Sequence, residues 1–220
     1  MDRSWRIHLR RCDADLHDRL AGLVGRNDRS VAAIEKDLVL PEGTVFYAKP
    51  LSVQGLPRSK RTEVRRDWRG EALSRTAKAD IVFLDPDNGF AGKSIKQQTA
   101  RSNKYVFLCE VQAFLERGQS LVVYHHQTRR RGGLELEIAH WRSELNQIGV
   151  SDSHAIVFCK GSVRTYFVLP ADRHRAVLLQ RVAEFTSGLW RAHGCFSLFP
   201  GSPMSPSKSH AVIDASQHRK

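Results

Sequence analysis

The sequence predicts an α/β fold: a mostly parallel, Rossmann-like sheet with helices on both faces and a C-terminal antiparallel β-hairpin. Three observations carry this. Ile81-Val-Phe-Leu84 and Ser120-Leu-Val-Val-Tyr124 are short apolar runs that stop at polar turn residues, as buried inner strands of parallel sheets do. Between and after them lie stretches with helical spacing of apolar residues, and such alternation implies a sheet with helices packed on it. Lastly, Ala155–Cys159 and Val163–Leu169 flank Lys160-Gly161-Ser162, the pattern of a hairpin at one edge of such a sheet.

Taken in order, residues 1–12 are basic and weakly patterned. Leu16, Leu20, Leu23 and Val24 recur at helical spacing behind Asp13 or Asp15 as the cap. A short helix or strand follows over Ser30–Leu40, ended by Pro41-Glu42-Gly43, and Val45–Ala48 reads as a strand. Residues 49–62 read as a basic loop, and Glu63–Ala79 as an amphipathic helix with Trp68, Ala72 and Leu73 on one face. Beyond the Ile81 strand, Gly92–Asn103 is a cationic loop, Tyr105–Cys109 a short apolar run and Glu110–Arg117 a short helix that Gly118 ends. Leu134, Ile138, Trp141, Leu145 and Ile148 define a helix after the second strand, and Val177–Trp190 a terminal one. Residues 1–199 therefore read as a single domain, and the Ser-, Pro- and His-rich 200–220 as a disordered tail.

The chain carries 35 Lys+Arg against 23 Asp+Glu, a net charge of +12. That surplus favours a polyanionic partner, nucleic acid first, with phosphate contacts from the arginine-rich 58–66 and 129–131 segments. Cys12, Cys109, Cys159 and Cys195 are too scattered for a zinc site or a disulfide framework. Cys109 and Cys159 fall in apolar segments and read as buried thiols. With neither a membrane-span-length apolar run nor a signal peptide, the expected location is the cytoplasm.

The candidate site follows from the two strand ends. Asp85-Pro86-Asp87-Asn88-Gly89 closes the first strand, and His125-His126-Gln127-Thr128-Arg129-Arg130 closes the second. In open α/β sheets that edge is where ligands bind. Asp85, Asp87 and Asn88 place carboxylates and an amide across from a His- and Arg-rich loop that suits phosphate. Consecutive residues of a strand point to opposite faces, so at most one of His125 and His126 lines the crevice.

An apolar strand ending in Asp-Pro, then strand, helix and hairpin, resembles the catalytic-side half of class I S-adenosylmethionine-dependent methyltransferases. In amino-methylating members an Asp/Asn-Pro-Pro-aromatic turn receives the target amine. Asp85 and Pro86 match its first two positions, and Phe90 supplies an aromatic to stack on the base. Phe83-Leu-Asp-Pro-Asp-Asn-Gly, Lys104-Tyr-Val, the Ser120–Tyr124 strand with His126, and Arg164-Thr-Tyr-Phe-Val-Leu together resemble a family of small bacterial proteins of unassigned activity, over residues 12–170. The resemblance implies a nucleic-acid-directed, methyltransferase-like protein using S-adenosylmethionine, with Asp85, Pro86, Asp87 and Asn88 as catalytic residues. Phe90, Lys104, His126, Arg129 and Arg130 would bind substrate. The pattern departs from the family where Asp87 replaces the second Pro and where no GxGxxG turn precedes Asp85, so a first strand and the cofactor cradle are in question.

Two alternatives stay open. Pro86-Asp87 followed by Glu110-Val-Gln112 imitates a PD…ExK nuclease in which Asp87 and Glu110 hold Mg²⁺. The charge without a glycine turn also suits a non-catalytic nucleic-acid- or partner-binding module.

Overall fold

The computed structural model describes residues 10–128, 131–159, 162–191 and 196–199. Among the described residues two capped helices come first. In α1 (Ala14–Gly25) the Asp13 carboxylate accepts the Leu16 N–H, and in α2 (Val31–Lys36) the Ser30 hydroxyl accepts that of Ala33. They share a small apolar cluster of Leu23, Ala33 and Val39. No strand forms over Val45–Ala48. The segment instead lies along α3 (Arg58–Arg75), where the Trp68 indole N–H donates to the Lys49 carbonyl and the Tyr47 hydroxyl to that of Trp68.

A five-stranded sheet follows, built from β1 (Ile81–Leu84), β2 (Ser120–His126), β3 (His154–Phe158), β4 (Arg164–Leu169) and β5 (Phe196–Phe199), in the order β1-β2-β4-β3-β5. Only β1 and β2 pair in parallel; the other three pairings are antiparallel. The expectation of a mostly parallel sheet is thus corrected, while the α/β class and the β3–β4 pairing stand. The physical reason lies in the connections. A helix crossover joins β1 to β2 and enforces parallel pairing there. The β3–β4 hairpin then places β4, not β3, against β2.

β1 is also an edge strand rather than an inner one. Its Val82 faces the core while Ile81 and Phe83 are exposed. Between β1 and β2 the run Tyr105–Cys109 is not a strand. A single parallel bridge, Phe90 to Val106, precedes α4 (Leu108–Leu115). This earlier helix start puts Cys109 in its first turn, exposed; Cys159, just past β3, is exposed too, so neither is the buried thiol expected.

One face of the sheet holds the core. Val82, Leu121, Val123, Phe167, Leu169, Ala155 and Val157 share it with Val111 and Phe114 of α4 and with Ile138, Trp141 and Leu145 of α5 (Gly133–Gln147). Burial of this many large apolar side chains dominates the stability of the fold, at roughly 1.5–3 kcal/mol for each one fully buried. The other face is covered in part: Val168 is buried, and α6 (Arg175–Ser187) packs against β5, but Phe83 and His126 are open to solvent. Among the described residues no helix is long and apolar enough to cross a membrane. The Lys160-Gly161 turn, Arg129, Arg130 and the 200–220 tail lie outside the described residues.

Candidate nucleic-acid-facing site

Parallel pairing sets Leu84 beside Val123, so the chain leaves β1 at Asp85 level with Tyr124. The turn that follows divides its residues between two jobs. Gly89 has φ +93°, and a Cβ there would lie 2.2 Å from His125 Nδ1 and 2.7 Å from the His125 Cα. Only glycine fits such an approach to a neighbouring backbone. The close passage lets the Phe90 N–H donate to His125 Nδ1 at 3.2 Å. With Nδ1 accepting, the imidazole proton sits on Nε2, which donates to Glu137 Oε1 at 2.9 Å. Glu137 also takes the Thr128 N–H. Burial pushes the His125 imidazole below its usual range, against the pull of Glu137. Hydrogen bonds from His125 and Thr128 in turn hold Glu137 below the carboxylate range although burial opposes them.

Phe90 is 2 % exposed, its ring 4.9 Å from that of Trp141 and 5.3 Å from that of Phe167. It is a core residue and does not face a substrate base, which corrects the stacking role assigned to it. Its burial is the price of closing the turn: once Gly89 crosses His125, the next side chain enters the core.

Glu110 is likewise withdrawn. It is 4 % exposed, and both its oxygens receive the Arg65 guanidinium, at 2.6 and 2.7 Å. It also takes the Phe107 N–H at 2.9 Å, closing the first turn of α4. Arg65 continues to the Ser102 and Tyr105 carbonyls and lies 4.5 Å above the Phe107 ring. This buried pair fastens the 92–107 segment to α3. Asp87 is exposed and pairs with Lys104 while Glu110 is buried against Arg65, so Asp87 and Glu110 do not form the Mg²⁺ site the nuclease alternative needs. Among the described residues no group of three or more metal-ligating side chains converges. The 58–66 segment is also partly spoken for: Arg61 donates to the Leu56 and Gln98 carbonyls, Arg65 is buried, and Arg66 pairs with Asp67.

What remains displayed is a compact group. Asp85 is exposed, yet partial enclosure and the charge of Asp87 hold its carboxyl above the usual range. Asp87 meets Lys104 Nζ at 3.6 Å, and the Asn88 N–H donates to the Lys104 carbonyl at 2.9 Å, which seats the turn on residue 104. On β2 the Tyr124 hydroxyl lies 3.3 Å from His126 Nδ1. Across from them in register stand Tyr166 and Arg164 of β4. Burial raises the Tyr166 phenol above its ordinary range against the opposing charge of Arg164, and Tyr124 and Asp85 add to the rise. The structure thus gathers Asp85, Pro86, Asp87, Asn88, Lys104 and His126 at one end of the sheet, and separates Phe90 and Glu110 from them.

Tyr124, Tyr166 and Arg164 were missed as site residues. Their signal was available: in Arg164-Thr-Tyr-Phe-Val-Leu169, the side chains alternate between Thr165, Phe167 and Leu169 on the core face and Arg164, Tyr166 and Val168 on the other.

Two other features invite chemistry. At the opposite end of β2, Ser120 Oγ lies 3.0 Å from His174 Nδ1, and His174 Nε2 lies 3.3 Å from Asp80. Ser120 is fully buried and accepts the Ala171 N–H at 2.9 Å, so it ties β2 to the turn before α6 and is no nucleophile. A cavity of about 420 Å³ opens on the helix side, between the 91–98 loop, the first turn of α4 and α5; none of the displayed group lines it.

No protein-family model, no curated protein and no solved structure matches this chain.

Proposed function

We propose that this chain binds nucleic acid and that its 85–88 turn receives the exocyclic amine of a base. The carrying observation is the exposed Asp85 carboxylate at the end of an edge strand, at the same end of the sheet as His126 and Arg164. A carboxylate accepts hydrogen bonds, so it favours bases that offer an N–H₂ group; His126 and Arg164 at the same end of the sheet favour the phosphate that comes with them. The net charge of +12 supports the same partner.

The likeness to the catalytic-side half of methyltransferases is supported by the order of elements. An Asp-Pro strand, its parallel neighbour and a terminal hairpin follow in that sequence. The described residues offer the methyl donor no support of the same kind. The glycine turn that cradles it belongs to a strand-to-helix passage, and among the described residues no strand precedes β1. We therefore derive no methyl-transfer step and read the chain as a binding module with a methyltransferase-like turn.

Oligo(A) and oligo(C) bear exocyclic amines at the Watson–Crick edge and oligo(U) does not. Fluorescence anisotropy at low salt should show tighter binding of the first two, and Asp85→Ala should erase the preference. Equal binding of all three by the wild type contradicts the role given to Asp85. Calorimetric binding of S-adenosylmethionine to the whole chain would restore the enzymatic reading.

A further inference from the structure

The face of the sheet opposite the core carries aromatic side chains on four adjacent strands. On β1 it is Phe83, 55 % exposed; on β2, Tyr124; on β4, Tyr166; on β3, Phe158. The register places them together: Tyr124 pairs with Tyr166, and Phe158 with Arg164. The Phe83 and Tyr166 rings lie 6.5 Å apart, the Tyr124 and Tyr166 rings 5.8 Å apart, and the Arg164 guanidinium lies 5.7 Å from the Phe158 ring centroid. A large exposed aromatic on an edge strand is costly to keep in water, at roughly 25 cal/mol per Å² of apolar surface left uncovered. Here it borders Asp85 on one side and His126 and Arg164 on the other.

We infer that this face is a stacking platform for a single-stranded polynucleotide, with Phe83 as its outermost ring. Bases of a single strand are free to lie on aromatic rings, whereas those of a duplex are stacked on one another and inaccessible from this direction. A four-stranded surface with rings on neighbouring strands spans successive bases, because strands stand about 4.8 Å apart. Arg164 and His126 rim the platform and complement the phosphates between those bases, which is the charge argument against an apolar peptide as occupant. The inference deepens the nucleic-acid reading above and rests on it. It adds that the partner is single-stranded and that recognition begins on the sheet, with the Asp85 turn reading an edge of a base already stacked.

The test uses the full chain and labelled 12-nucleotide RNA, DNA and the matching duplex in anisotropy titrations at low salt. Either single strand should bind at least tenfold tighter than the duplex; the RNA and DNA arms tell which sugar is preferred. Phe83→Ala should weaken single-strand binding about 5- to 100-fold, the range of one lost base–aromatic stack, leave the salt dependence unchanged, and be rescued by Phe83→Trp. Phe83 is exposed, so neither variant threatens the fold. If the wild type binds single strands but Phe83→Ala binds equally well, or if the duplex binds as tightly, the platform is wrong and the nucleic-acid reading survives. If no nucleic acid binds at all, both fall. Sedimentation showing a dimer that Phe83→Ala disperses would assign the face to a second copy of the chain and overturn the platform.

Discussion

His125 and His126 are adjacent on β2 and serve opposite faces of one sheet. His125 is 1 % exposed, fixed in one tautomer between the Phe90 N–H and Glu137, and surrounded by Phe90, Trp141 and Phe167. His126 is exposed, with the Tyr124 hydroxyl beside it. The division repeats in the turn after β1, where Gly89 and Phe90 close onto the core and Asp85 to Asn88 stay outside. One motif therefore contains two classes of residue. Those that hold the turn in place are buried and mutually satisfied; those it displays have partners only at the periphery. Loss of the first class should be read in stability, and loss of the second in binding.

The sharpest way to break this division is through Phe90. Phe90→Ala removes a fully buried ring and should cost about 3–5 kcal/mol in chemical denaturation. A loss under about 1 kcal/mol would mean that the ring is not in the core and that the base-stacking role should be reconsidered. Gly89→Ala, at φ +93° with His125 backbone in the way, should destabilise comparably, and no His125 rotamer relieves the contact with its own Cα.

Next comes Glu137→Gln. It keeps the shape but replaces the carboxylate that accepts from both His125 and Thr128. The charged hydrogen bonds it weakens are worth about 1.5–3 kcal/mol each, so a loss of that order is expected at neutral pH. The pH dependence sharpens the same point. The His125 pKa is depressed in the folded state, so the unfolded chain binds the proton first. Stability should fall as pH drops below about 6.5, at no more than about 1.4 kcal/mol per unit for one proton, and level off below the folded-state value. Absence of that slope between pH 6.5 and 5 would contradict a buried neutral imidazole.

Asp85 gives the smallest stability effect and the opposite sign. Its folded pKa is raised, so the ionised form is mildly unfavourable in the fold. Asp85→Asn should stabilise by under about 0.5 kcal/mol near neutral pH, discounted for solvent screening, with the gain vanishing once the carboxyl is protonated at acid pH. A marked destabilisation would place Asp85 among the residues that build the turn.

Much of this division could be read from the residues alone. Ile81–Leu84 is a strand with the boundaries its apolar run indicates, Asp13 caps the helix it precedes, and the 155–169 segment forms the antiparallel pair. The opposite facing of the two histidines follows from strand geometry. Other parts depend on partners distant in the chain. An apolar run of four cannot tell an inner strand from an edge strand, because neighbours decide that, and here one lies 39 residues on at Ser120. Glu110 looks like a ligand until Arg65, 45 residues earlier, is seen to hold it. Phe90 looks displayed because it follows a polar turn; only the Gly89–His125 crossing shows that the chain has re-entered the core.

The division between a locked core face and a displayed binding face is tested most directly by ultraviolet crosslinking of the full chain to a single-stranded oligonucleotide, with the modified residues mapped by mass spectrometry. Adducts should fall on Phe83, Tyr124 or Tyr166, and salt that releases the oligonucleotide should abolish them. Adducts confined to α3, or to the 91–98 loop and α5 around the opposite cavity, would contradict the account, as would none at all under conditions where binding is measured.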